Sequence, residues 1–142
     1  FKIGVPFELN HKNPLTAQPP LNQSSMHWHW QAGYKFMRAE FVINNQPRRL
    51  HLGSLHCKGE IGAISHCELP NRPAFTLTNF KLNQSAITLS LDKLLDDDSS
   101  NDHSYLTCMG GTEHPWCDNA LKWLGLAGNQ PQRIFSIKEG TQ

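Results

Sequence analysis

FTLTNFKLNQSAITLSL, residues 75–91, is the stretch that decides the fold. Its two halves, 75–80 and 86–91, alternate apolar with small polar side chains and are rich in β-branched and aromatic residues, as half-buried strands are. Shorter runs of the same kind recur at 34–43, 50–55 and 134–138, with proline and glycine between them. The spacing predicts an all-β chain folded as a β-sandwich.

One short helix is expected near the C-terminal end of the chain. Asp118 can serve as the N-cap of a helix over residues 119–124, and Gly125 supplies the left-handed residue that ends it. One more helical turn is expected at 92–95, and the first seven residues resemble a strand. No domain boundary is visible, so we predict a single domain over residues 1–142.

Composition excludes several classes of function. The chain has 142 residues, a net charge of +1 and no basic run, which argues against a nucleic-acid or anionic-membrane partner. No apolar run approaches the roughly 20 residues that span a bilayer. No phosphate-cradling, G-x-S-x-G or H-E-x-x-H motif is present, so we expect a monomeric binding protein that is not an enzyme.

The start at Phe1 is interpreted as a processed form that has lost an export signal.

Four cysteines are placed so that none forms a C-x-x-C pair. They allow three pairings, of which we favour the local one, with two short loops closed by Cys57–Cys67 and Cys108–Cys117. Four reduced core thiols are the alternative. Disulfides indicate an exported protein of the periplasm or cell surface.

Residues 26–30 read MHWHW and give the chain its most distinctive chemistry. In a strand, Trp28 and Trp30 share one face, and His27 and His29 share the other. Neutral imidazole is a common ligand of soft-to-borderline metals. The pattern therefore predicts a metal site on a β scaffold beside oxidisable aromatic rings.

Two other interpretations of the same residues stay open. His27 and His29 on one strand, with His51 on a neighbouring strand, could hold zinc and a water molecule as a hydratase-like enzyme does. The other is a metal-free binding sandwich, in which the tryptophans pack in the core and the histidines face solvent.

The segment 96–102 is rich in carboxylates and provides weak calcium candidates in Asp96 and Asp98. It lacks the spacing and the glycine of an EF-hand. A solvated acidic loop is the favoured interpretation.

Several short motifs follow one another along nearly the whole chain. They are GVPF at 4–7, NH at 10–11, NPL at 13–15, W-x-W-Q at 28–31, GYKF at 33–36, HLG at 51–53, PNR at 70–72, CM at 108–109 and LGL at 124–126, with the remaining cysteines between them. In these motifs the chain resembles the MbnP-type copper-binding protein family, a group that includes the methanotroph surface copper proteins MopE and CorA.

The resemblance implies a periplasmic or surface β-sandwich that binds copper for acquisition, storage or delivery. It implies that His11 and His51 are copper ligands. It also implies that a diheme MauG-like peroxidase oxidises Trp28 or Trp30 to kynurenine beside the metal.

The chain departs from the usual family pattern by carrying histidines at 27 and 29. These extra imidazoles leave the full ligand set open. Cu(I) accepts two or three soft ligands, so the thioether of Met26 is a further candidate, with packing as its alternative.

Overall fold

The computed structural model describes residues 1–43, 45–95, 107–111 and 115–139. Within these ranges short strands dominate, in agreement with the predicted all-β class. The strands are β1 His27–His29, β2 Gly33–Ile43, β3 Gln46–Gly53, β4 Leu55–Glu60, β5 Ala63–Leu69, β6 Ser85–Leu89, β7 Thr107–Cys108 and β8 Phe135–Glu139. The helices are α1 Phe7–Asn10, α2 Leu91–Leu95 and α3 Pro115–Trp123, and a 3-10 turn spans Ser24–Met26.

The described strands form three open sheets. The largest has the order β1-β2-β3-β7, while β4 pairs with β5 and β6 pairs with β8. All neighbouring strands are antiparallel except β3 and β7, which run parallel. Among the helices of these ranges, none combines the length and apolar character that a bilayer crossing requires.

The core lies on one face of β3. Leu50 and Leu52 are fully buried there, and they belong to one cluster with Leu124 of the α3 C-terminus and Ile134 before β8. Because side chains alternate along a strand, His51 between the two leucines points away from this core. The alternation therefore places an imidazole on the opposite face of the sheet.

Both predicted disulfides are present. Cys57 and Cys67 face each other across β4 and β5, and Cys108 joins β7 to Cys117 in α3. Each closes a short loop and therefore contributes on the order of 3 kcal/mol through the unfolded chain. The alternative of four reduced thiols is thereby excluded.

The prediction of a strand over 75–80 is wrong, whereas that over 86–91 is confirmed as far as Leu89, where β6 ends, and its last residue, Leu91, begins α2. The backbone N–H of Phe75 donates to the carbonyl of Phe1, and Asn79 takes a left-handed φ of 65°, which ends extended structure. The Phe75 ring stacks on those of Phe1 and Phe135, at 5.9 and 4.6 Å between centroids. The segment 75–80 is therefore held by ring stacking at Phe75 and not by pairing with a neighbouring strand, although its apolar and polar residues alternate.

The ends of two helical segments also differ from expectation. Helix α3 begins three residues before the predicted N-cap because Pro115 occupies its first position, where the missing N–H costs nothing. It stops as predicted at Gly125, whose φ is +74°. The first seven residues form no strand beyond a single bridge between Lys2 and Ala74, and α1 follows them. The helical turn expected at 92–95 is present as α2.

Candidate metal centre

Trp28 lies over the end of β3. A Cβ atom added to Gly53 would come within 3.2 Å of the Trp28 ring, so the absence of a side chain at Gly53 makes room for the indole. The same indole meets His51 edge to face, with ring centroids 6.4 Å apart. Strand β1 ends at His29, so Trp30 lies in the turn that follows and is 40% exposed. The two tryptophans therefore have different environments.

His51 is held by a carboxylate of the neighbouring strand. Its Nε2 lies 2.9 Å from Oε1 of Glu40, and Arg38 donates to both oxygens of the same carboxylate at 3.0 and 3.1 Å. The hydrogen bonds from Arg38 and then His51 lower the pKa of Glu40 to about 2, so the carboxylate stays ionised. With Nε2 donating, Nδ1 is the nitrogen whose lone pair remains for a metal.

Pairing of an imidazole with a carboxylate is the usual support of metal-bound histidine, because it fixes the ring and raises its basicity. Sequence reasoning missed Glu40 in this role. The signal that could have found it is the Arg38-x-Glu40 spacing, which puts both side chains on one face of a strand that pairs with the strand of His51.

His11 follows α1 and is oriented by a backbone carbonyl. Its Nδ1 lies 3.3 Å from the carbonyl oxygen of Trp30 and can donate to it, so Nε2 carries the lone pair. Nε2 is 3.8 Å from Sγ of Cys67, and it accepts a long hydrogen bond of 3.4 Å from Nδ2 of Asn10, which a metal would have to displace. Burial lowers the pKa of His11, and the bond to Trp30 opposes this in part. The imidazole is thus kept in the neutral form that binds metals.

In the part of the chain that the structure describes, one group of three metal-ligand side chains lies within 4.8 Å, namely His11, Cys57 and Cys67. Its two sulfurs form a disulfide, so they offer no thiolate to a metal. His27, His29 and His51, the set of the zinc interpretation, form no group of this kind among those residues.

His27 and His29 have different surroundings. The His27 ring packs edge-on against Tyr34, at 5.0 Å between centroids, and the His29 Nδ1 accepts from the N–H of Ala32 at 3.4 Å. Burial lowers the pKa of His27 most, followed by the charges that His29, His11 and Lys35 would carry. His27 is thus within electrostatic range of both His11 and His29.

His11 and His51 have different neighbours. Trp30 and a disulfide surround the first, whereas Glu40 and Trp28 surround the second, and no ring contact or hydrogen bond joins the two imidazoles in the described residues. Met26 is partly buried at the end of the 3-10 turn. Asp96 and Asp98, the calcium candidates, lie outside the described residues.

Asn10 ties the His11 segment to the sheet, another role that sequence reasoning missed. Its buried side chain accepts from the N–H of Tyr34 at 3.0 Å and donates to the carbonyl of Ala32 at 3.2 Å. Gly33 lies so close that a Cβ atom there would overlap the Asn10 carbonyl. The paired asparagine and glycine therefore set the position of the following histidine.

Comparisons with known proteins agree with this architecture. The sequence model of the MbnP family matches residues 1–110. The solved structure of MbnP from Methylosinus trichosporium superposes with a TM-score of 0.76 at 26% sequence identity. The match covers 94% of this chain and 56% of that one, so this chain spans just over half the length of that protein. No curated protein matches the sequence.

Proposed function

Because the chain belongs to the MbnP family, we propose that it is a copper-binding protein. The proposal rests on the hydrogen bonds of the two histidine rings. His11 and His51 each have one ring nitrogen engaged by a protein acceptor, and the other ring nitrogen carries the lone pair that a metal would bind. At His11 the metal would displace the long 3.4 Å hydrogen bond from Nδ2 of Asn10. This arrangement is that of imidazoles prepared for coordination rather than of histidines that only fill space.

The ligand chemistry favours Cu(I). Imidazole and thioether groups suit this ion, and it is satisfied by two or three of them. His11 and His51 would hold it, with Met26 as a third candidate. His27 and His29 offer further imidazoles, of which His27 is within electrostatic range of His11, and would extend the donor set beyond the family pattern. Calcium at Asp96 and Asp98 stays a prediction from sequence.

The proposal includes oxidation of a tryptophan to kynurenine by a diheme MauG-like peroxidase. Trp28 is the favoured target because its indole lies beside His51, so that the new amine and carbonyl groups would appear next to the metal ligand. Trp30 is the alternative because its ring is more accessible to a large partner. The partner supplies the oxidising equivalents, and this chain is its substrate.

The location proposed is the periplasm or the cell surface. Both disulfides require an oxidising compartment to persist. The protein would acquire, store or deliver copper there without catalysing a reaction itself.

The test is titration of the purified chain with Cu(I) in competition with a chromogenic chelator, before and after treatment with the heme partner. His11→Asn and His51→Asn should each weaken Cu(I) binding by about tenfold or more. His56→Asn is the matched control, because this exposed histidine has a φ of 53° that asparagine tolerates.

Equal affinity in His51→Asn and the wild type would exclude His51 as a ligand. A chain that ignores Cu(I) in both states would overturn the proposal and favour the metal-free binding sandwich.

A further inference from the structure

A cavity of about 340 Å³ lies between the N-terminal segment, α1 and β5, a volume within the range of small-molecule sites. Its walls combine an apolar group with a basic group of side chains. The two groups are Val5, Phe7 and Pro70, and Lys2, His66 and Arg72. None of the described residues that line the cavity is acidic, so its net character is positive.

The Nε atom of Arg72 is buried and has no hydrogen-bond partner in the described part of the chain. A guanidinium is always charged and always a donor. The buried Nε lies under Gly4, where an added Cβ atom would come within 3.1 Å of it, so a ligand in the cavity does not reach this atom. Arg72 as a whole is only partly buried and lines the cavity, so its other N–H groups are the donors for a ligand, and a negatively charged acceptor suits them best.

The segments around Arg72 hold it in place. The side-chain amide of Asn71 donates to the carbonyls of Gly53 and Gly110 at 2.9 and 3.0 Å, and the N–H of Ile3 donates to the carbonyl of Pro73 at 2.9 Å. A Cβ on Gly4 would lie 2.9 Å from Cγ of Arg72, so the glycine lets the N-terminal segment close over the arginine stem. The guanidinium is thus preorganised before any ligand arrives.

Lys2 is the second cationic group of the lining. It is exposed, next to the bridge that its backbone forms with Ala74. His66 contributes no donor in its neutral form, because Oγ of Ser65 donates to the carbonyl of Lys58 and therefore accepts from Nδ1 of His66 at 3.1 Å, which leaves a lone pair on Nε2. The apolar lining residues offer a surface for a hydrocarbon or aromatic body.

We propose that this cavity binds a small organic carboxylate. Arg72 binds the carboxylate group, for which the guanidinium fork is well suited. Lys2 adds positive potential, and Phe7, Val5 and Pro70 contact the apolar body of the ligand. Neither His11 nor His51 lines the cavity, although Phe7, Asn10 and Cys67 of its lining also contact the ring of His11.

The test uses phenylacetate as the probe, with phenylacetamide as its uncharged analogue and inorganic phosphate as an anion without an apolar body. Binding is followed by calorimetry and by backbone amide shifts on the full chain. Phenylacetate should bind saturably with shifts confined to the cavity lining, and both comparison compounds should bind about tenfold more weakly or worse.

Arg72→Met keeps the stem but removes the charge, and it should weaken phenylacetate binding by about tenfold. Arg49→Met is the matched control, because Arg49 is exposed on β3 and does not line the cavity. If Arg72→Met fails to fold, Lys2→Met changes only an exposed side chain of the lining. It should weaken phenylacetate binding and flatten its dependence on ionic strength.

Three outcomes overturn the proposal. They are equal affinity for phenylacetate and phenylacetamide, phosphate binding as tight as phenylacetate binding, and the absence of saturable shifts with any probe.

Discussion

The Nε2 atom of His51 and the Oε1 atom of Glu40 lie 2.9 Å apart across β2 and β3, on the face of the sheet that is turned away from the core. The carboxylate is shared with Arg38, which keeps it ionised and fixed. A partly buried imidazole is thereby held in one orientation with its other nitrogen available. The register between β2 and β3 thus places a carboxylate beside a proposed copper ligand.

Glu40→Gln is expected to weaken Cu(I) binding by about tenfold, within the range found when outer-shell partners of metal-bound histidines are removed. The amide keeps the size of the side chain but loses the negative charge and the strong acceptor that hold Nε2 of His51 at 2.9 Å. Chelator competition measures the effect. Arg38→Gln should change the affinity less, because it leaves the carboxylate in place, and equal losses in the two variants would contradict the assigned role of Glu40.

The strand-dominated fold could be predicted from residues whose surroundings are local. The alternation within 86–91 and the cysteine spacing both led to correct elements, because each pattern can be recognised within about ten residues of sequence. The partner of β6 could not be predicted in this way, because β8 lies far along the chain. The failure at 75–80 has a different origin. Phe75 is placed by rings at the two ends of the chain, Phe1 and Phe135, and no local pattern carries that information.

The site was less predictable for the same reason. Sequence and family resemblance pointed to His11, His51 and the tryptophans, yet the groups that orient these histidines are the carbonyl of Trp30 and the carboxylate of Glu40. Both partners are set by strand register and by a turn. Register follows from the whole sheet, so the resemblance identified the candidates while their orientation required the structure.

Trp28→Phe and Trp30→Phe should separate the two candidates for oxidation. Treatment with the heme partner should leave Trp28→Phe without kynurenine absorbance, whereas Trp30→Phe should still be modified, because Trp28 is the indole beside His51. Peptide mass spectrometry detects the change as a net gain of one oxygen and loss of one carbon. The opposite result would assign the reaction to Trp30. Persistence in the double variant would move it to Trp116 or Trp123.

Copper binding should tolerate mild acid. Burial lowers the pKa of His11 and of His27 below the usual 6.5, so fewer protons compete with the metal as the pH falls through 6.5. The contribution of His11 to the Cu(I) affinity, measured as the difference between the wild type and His11→Asn, should therefore stay nearly level through this pH and decline only below it. The folded state also loses stability as the pH falls below 6.5, because the unfolded imidazoles take up protons first. His27→Asn should reduce this loss of stability. A decline in the contribution of His11 to the Cu(I) affinity that starts above pH 6.5 would contradict a lowered pKa of His11.

Asn10→Ala should destabilise the fold by about 2 kcal/mol or more, because it leaves the N–H of Tyr34 and the carbonyl of Ala32 buried without their partner. Asn13→Ala is the control, since its exposed side chain accepts one local bond from the N–H of Leu15, and it should cost about 1 kcal/mol or less. Urea unfolding measures both.

Asn10→Asp separates the two halves of the interaction, since a carboxylate still accepts from Tyr34 but cannot donate to Ala32. It should be at least as destabilising as Asn10→Ala, because it sets a charge against a carbonyl oxygen. A milder effect of Asn10→Asp than of Asn10→Ala would mean that the bond to Tyr34 alone positions the segment that carries His11.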